Sequence, residues 1–148
     1  MKDNECEGCK NGLEAMHTRH DELMKKYGWM VHYVTPDDAY PFNVNIHTHG
    51  FPDKFKHPDM QICLSLSPDI AQGIMNNIAR LLEKGKVFKA NKKYKGIIEK
   101  FTVLMHPAKE DGRKILRMVF PDKYGSFDGE FSKKQMKDIL SLNQHKSQ

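Results

Sequence analysis

The sequence predicts an α+β domain: an antiparallel or mixed sheet of about five strands, covered by two long helices plus a short C-terminal helix. Three observations carry this. Apolar residues at helical spacing, bounded by capping signals, occur near the start, the middle and the end of the chain. Runs with period-two alternation lie between them. The strand-like runs cluster instead of alternating strictly with helices, which favours α+β over a doubly wound parallel sheet.

The elements follow in order. The first helix is expected over residues 12–27, with Asn11 as cap, Glu14 reaching back, and a face made by Leu13, Met16, His20, Leu23, Met24 and Tyr27. Gly28 supplies the stop. Residues 29–34 read as a strand ended by Thr35-Pro36-Asp37-Asp38, and residues 42–48 as a second. In the second, Phe42, Val44 and Ile46 point one way and Asn43, Asn45 and His47 the other, with His49 continuing the polar face. A turn-rich stretch over 50–58 leads to a third strand over 59–66. Ser67-Pro68-Asp69 then announces a helix with a stripe of Ile70, Ile74, Ile78, Leu81 and Leu82. Gly73 in its middle costs stability unless something packs closely there. Residues 97–105 and 114–120 read as a strand pair joined by a loop over 106–113, and a last helix starts at Ser132 with Gln135 completing a capping box and Phe131 stapling to Met136.

The chain has 148 residues, 39% hydrophobic and 29% charged, which suits one domain with a real core. Residues 1–10 are expected to form a loose or metal-tied tail, and 142–148 a disordered one. No apolar run approaches the roughly 20 residues that span a bilayer. The opening MKDNECEGCK has no apolar stretch behind its lysine, and the cysteine count of 3 is odd; both favour a reducing cytoplasm over secretion. The formal charge of 24 − 19 = +5 is concentrated between Lys84 and Lys100. That segment offers phosphate contacts, with Phe88 and Tyr94 as candidate stacking rings, or is a solvated, lysine-decorated connection.

Two constellations carry chemistry. In "NIHTHGFPDKFKHPD", residues 45–59, His47 and His49 are two apart on a predicted strand. Both imidazoles therefore share a face, about 6–7 Å apart along the chain. His57 is the expected third metal ligand and Asp59 the acid, as ligand or catalytic base, with Asp53 as alternative. His32, on the neighbouring strand, joins if those strands pair suitably. Mixed imidazole and carboxylate donors suit zinc first, then other divalent transition metals. The competing reading is a plain polar face turned to solvent. In the second constellation, Cys6-x2-Cys9 precedes His17-x2-His20, but finger spacing is not met. Cys6 and Cys9 remain candidates for metal, a redox disulfide or a loose tail, and His20 for a core position.

Gly28-Trp29-Met30-Val31 after a helix, "PFNVNI", His49-Gly50, His57-Pro58-Asp59 and "SPDIAQGIMNNIARLLEKGKVF" occur in an order that resembles a bacterial family catalogued as a domain of unknown function, the 4262 type. The resemblance covers roughly residues 5–122. It implies a small bacterial α+β domain whose members often open with a Cys-x-x-Cys, and it implies no activity. Members commonly carry a small residue where this chain has His47, so a metal site there belongs to a subgroup. The functional expectation is a divalent-metal-dependent, hydrolase-like enzyme using the His-x-His strand. The alternative is a non-catalytic binding or regulatory module whose basic segment contacts an acidic partner or nucleic acid. A small-molecule or protein partner, no membrane, and homo-oligomerisation through the polar strand face complete the expectations.

Overall fold

The structure is a computed structural model and describes residues 21–34, 44–110 and 112–137. The expectations placed on Cys6, Cys9, His17, His20, Phe42, Asn43 and the two tails lie outside the described residues. Residues 21–27 are helical and are called α1. The strands are β1 (Met30–Val34), β2 (Asn45–His49), β3 (Asp59–Ile62), β4 (Lys92–Ile98), β5 (Phe101–Glu110) and β6 (Arg113–Val119), and the remaining helices are α2 (Phe51–Phe55), α3 (Pro68–Glu83) and α4 (Glu130–Met136). Their order makes this an α+β fold. No helix of the described residues is long and apolar enough to cross a membrane.

The six strands form one mixed sheet in the order β1-β2-β3-β6-β5-β4. The β3–β6 pairing is parallel and the other four are antiparallel. One face of the sheet is apolar. Ile46, Met60, Ile62, Met105, Leu116 and Met118 are buried there with the α3 residues Ala71, Ile74, Met75, Ile78 and Leu82. Ser67 caps α3 by accepting the Ile70 amide, as expected. Of the predicted stripe, Ile74, Ile78 and Leu82 are buried and Leu81 packs on the core, while Ile70 is exposed and Ala71 and Met75 take its place inside.

Three predicted features are corrected. The basic connection contains a strand, β4, which takes in Ile97 and Ile98 and turns at residues 99–100 into β5, so the predicted strand over 97–105 is split and there are six strands and not five. It is an edge strand whose lysines face water, and charge there blocks pairing with other chains. Phe88 is buried and packs edge-to-face on Tyr94, so it offers no open ring for a base. Second, residues 106–110 continue β5 instead of looping. Third, α4 begins two residues early, and Ser132 and Gln135 lie inside it. Their side chains bond to the backbone of Phe120 instead of capping the helix.

Gly73 is exposed, and a Cβ placed on it would meet nothing within 4 Å. Gly73→Ala is therefore expected to raise the unfolding free energy by about 0.5–1 kcal/mol. Denaturant unfolding checks this; a loss of stability would mean that α3 packs there against something else.

Candidate metal centre

The second face of the sheet carries a row of polar residues across five strands, buried on the three central ones and half-buried at the two ends. The strand registers align His32 with His47, His47 with Gln61, Gln61 with Arg117, and Arg117 with His106. Asn45, His47, Gln61 and Arg117 are all buried, so this face is not the solvent-facing one that its composition resembles. Buried polar groups must be paired, and here one hydrogen-bonded chain pairs them.

The chain has a direction. Arg117 can only donate, and its Nε donates to Gln61 Oε1 at 2.6 Å. The Gln61 amide nitrogen is thereby turned to donate to Asn45 Oδ1 at 2.8 Å. Asn45 Oδ1 also lies 2.9 Å from His47 Nδ1, which must then carry the proton and donate. The result is a bare Nε2 on His47. Such an outer hydrogen bond, fixing tautomer and ring orientation, is what ligating histidines commonly have.

His47 Nε2 lies 3.0 Å from His49 Nε2. Antiparallel pairing of β1 with β2 brings His32 opposite His47, which meets the condition for His32 to join. One ring nitrogen from each of His32, His47 and His49 lies within 4.8 Å of the others. The rings stand at 4.7–5.7 Å between centroids. Burial, then the neighbouring His49, His32 and Arg113, lowers the His47 pKa to about 3 against the opposing bond to Asn45. His49 is lowered too, by burial first and by Arg113 next, with Asp59 and Glu110 acting the other way. Both rings are neutral at pH 7, the form that binds metal.

Asp59 and His57 stand outside this group. Asp59 is buried; its Oδ1 accepts from the Thr48 hydroxyl at 2.7 Å and the Phe51 amide at 3.1 Å, and its Oδ2 pairs with Arg113. It clamps the start of β3 to the end of β2. His57 Nδ1 donates to the Pro58 carbonyl at 2.9 Å, and Nε2 accepts from the Phe88 amide at 3.1 Å. Both nitrogens are spent tying β3 to the segment after α3. Asp53 sits exposed in α2. Cys63 is buried, and burial raises its thiol pKa to about 11 despite Arg117, so it is no nucleophile.

Two residues that the sequence did not single out border the imidazoles. Glu110 is buried, with Oε2 3.8 Å from His47 Nε2. Arg113 donates to Glu110 Oε1 at 2.9 Å and to the Thr48 carbonyl at 3.1 Å, besides pairing with Asp59. A separate cavity of about 630 Å³ is lined by His106, Lys109, Lys114, Ile115, Arg117 and Met136 among others. None of the three histidines lines it.

The depressed His47 pKa has a consequence for metal-free protein. Below about pH 6.5 the unfolded chain takes up a proton at this histidine, while the native chain does not until about pH 3. Stability is therefore fully present above pH 6.5 and is lost as pH falls through that window, by an amount on the order of several kcal/mol. Unfolding measured across pH 3–7 on wild type and His47→Gln should show a shallower acid slope in the variant; equal slopes would refute the assignment.

A six-stranded α+β domain with three histidines gathered on its second sheet face is the class that fold and site define. Residues 23–130 match the family described as Domain of unknown function (DUF4262), and the chain belongs to that family. No curated protein and no solved structure matches the chain.

Proposed function

We propose that this protein binds one divalent transition-metal ion, zinc by default, through His32, His47 and His49, and that it uses the ion for hydrolytic chemistry. The observation that carries the reading is the mutual approach of three ring nitrogens within 4.8 Å, one on a tautomer already set by Asn45. Three imidazoles from two adjacent strands form a frame of fixed geometry, and two of them need lose no proton at neutral pH. Such a set leaves one coordination position for water, whose acidity a bound zinc brings to about neutral pH.

Elemental analysis of protein purified without added metal tests the reading. Wild type should carry about one ion per chain, and His32→Ala, His47→Ala and His49→Ala should each lose it. His57→Ala should keep its metal while unfolding more easily, because its ring serves the backbone of residues 58 and 88. Metal retained in all three first variants, or lost only from His57→Ala, would overturn the proposal.

A further inference from the structure

We propose that Glu110 is the fourth protein ligand of the centre, binding through Oε2, and that Arg113 is the positioning residue that presents it. This rests on the three-imidazole reading and adds a carboxylate to it, so that the water of that reading takes a fifth position, a coordination number zinc can reach in catalytic sites.

The geometry comes first. Two neighbouring ligand atoms about 2.0–2.2 Å from one four- or five-coordinate ion are about 3.0–3.5 Å apart. Glu110 Oε2 stands 3.8 Å from His47 Nε2, near that separation, and His47 and His49 stand at 3.0 Å; the ligand atoms within 4.8 Å of one another are those of the three histidines, so the carboxylate must turn further inward to complete the set. The two Glu110 oxygens have divided tasks. Oε1 accepts from Arg113 Nε, while Oε2 is turned toward His47. The β5–β6 hairpin makes this arrangement, since Glu110 and Arg113 face each other in register as its last pair.

Charge points the same way. Asp59 and Glu110 are both buried, and both pair with the single guanidinium of Arg113. Among the described residues, two carboxylates against one cation leave a negative charge in a site where a buried charge needs a partner. A divalent ion held by the imidazoles beside Glu110 supplies it. The completed set, three nitrogens and one carboxylate oxygen, suits zinc, manganese, iron or nickel as divalent ions, and disfavours soft copper(I).

Cobalt(II) titration of the full chain, followed by its visible absorption and then by zinc competition, tests the inference. Wild type should bind one cobalt per chain with defined visible bands. Glu110→Gln keeps the shape and an oxygen for Arg113, but loses the charge. It should bind cobalt more than about 100-fold more weakly, beyond the roughly 10–100-fold expected for an outer partner, and show altered bands. Glu110→Asp keeps the charge on a shorter arm and should fall between the two. If Glu110→Gln is poorly folded, the aspartate variant alone decides by the same readout. Wild-type affinity and bands in the variants would overturn the role of Glu110 and leave the imidazole centre standing. A wild-type chain that takes up no cobalt or zinc would overturn the centre and this inference together.

Discussion

Arg117→Met is expected to lower the unfolding free energy by about 3–5 kcal/mol, the sum of several buried acceptors left without donors at about 1–3 kcal/mol each. Arg117 is 1% exposed. Besides Gln61, it donates through Nη1 to the Gln135 carbonyl at 3.2 Å and the Lys137 carbonyl at 2.7 Å. Those carbonyls belong to the C-terminal end of α4, where helix oxygens lack partners and carry partial negative charge. One side chain thus docks α4 on the sheet and fixes the amide chain that ends at His47. Methionine fills similar space but donates nothing. A second effect follows at the site: with Gln61 unfixed, Asn45 is no longer held to accept from His47 Nδ1, and metal affinity should fall by about 10–100-fold, as for other outer-partner losses. Denaturant unfolding and metal titration read the two effects. A variant as stable as wild type would mean that the helix carbonyls find other donors.

Gly50→Ala is the second large effect, expected to cost about 3 kcal/mol or more. Gly50 follows His49 directly and adopts φ +106°, a conformation that side-chain-bearing residues avoid. A Cβ there would run into the Gly28 carbonyl oxygen and lie 2.8 Å from Trp29 Cα. Both obstacles are backbone, so no side chain can swing away. The crowding has a purpose: the entry to β1 passes against the exit from β2, where Met30 pairs with His49. Separating these ends moves His32 away from His47 and His49. The variant should unfold at a lower temperature and take up metal less tightly than wild type, whereas Gly73→Ala should unfold at a higher one; wild-type behaviour in Gly50→Ala would contradict the close approach.

The sequence showed its long-period features well. The α3 cap and stop, the alternation in β2, the start of β3 and the aromatic strand before Thr35 all follow from local chemistry, though β3 ends at Ile62 and not at the predicted residue 66. What it hid has physical reasons. β4 lacks apolar alternation because an edge strand need bury few of its side chains, and here Ile97 is buried while Lys92, Lys93 and Lys95 face water. Residues 106–110 carry Pro107, which lacks the N–H a paired strand uses. Yet the β4 pairing with β5 ends at Met105, so beyond it β5 has β6 alone beside it, where a missing N–H is tolerated. The five-residue α2 did announce itself through Pro52 and Asp53 in its first turn, but a run so short is easily absorbed into a turn.

At the site, His-x-His was legible because period-two geometry is local. The third histidine was legible only as a condition: His32 joins if β1 pairs with β2, as it does, whereas nearness in sequence favoured His57. Glu110 and Arg113 were masked by the false loop; their opposite charges flanking Gly112 were the signal of a tight hairpin.

Isothermal titration of the chelator-treated full chain with zinc, run beside a His32→Ala chain, puts the central claim to the most direct trial. One ion per chain with a dissociation constant below about 1 μM, weakened more than about 100-fold in His32→Ala, is the predicted result. No binding by wild type, or equal binding by the two chains, would contradict it.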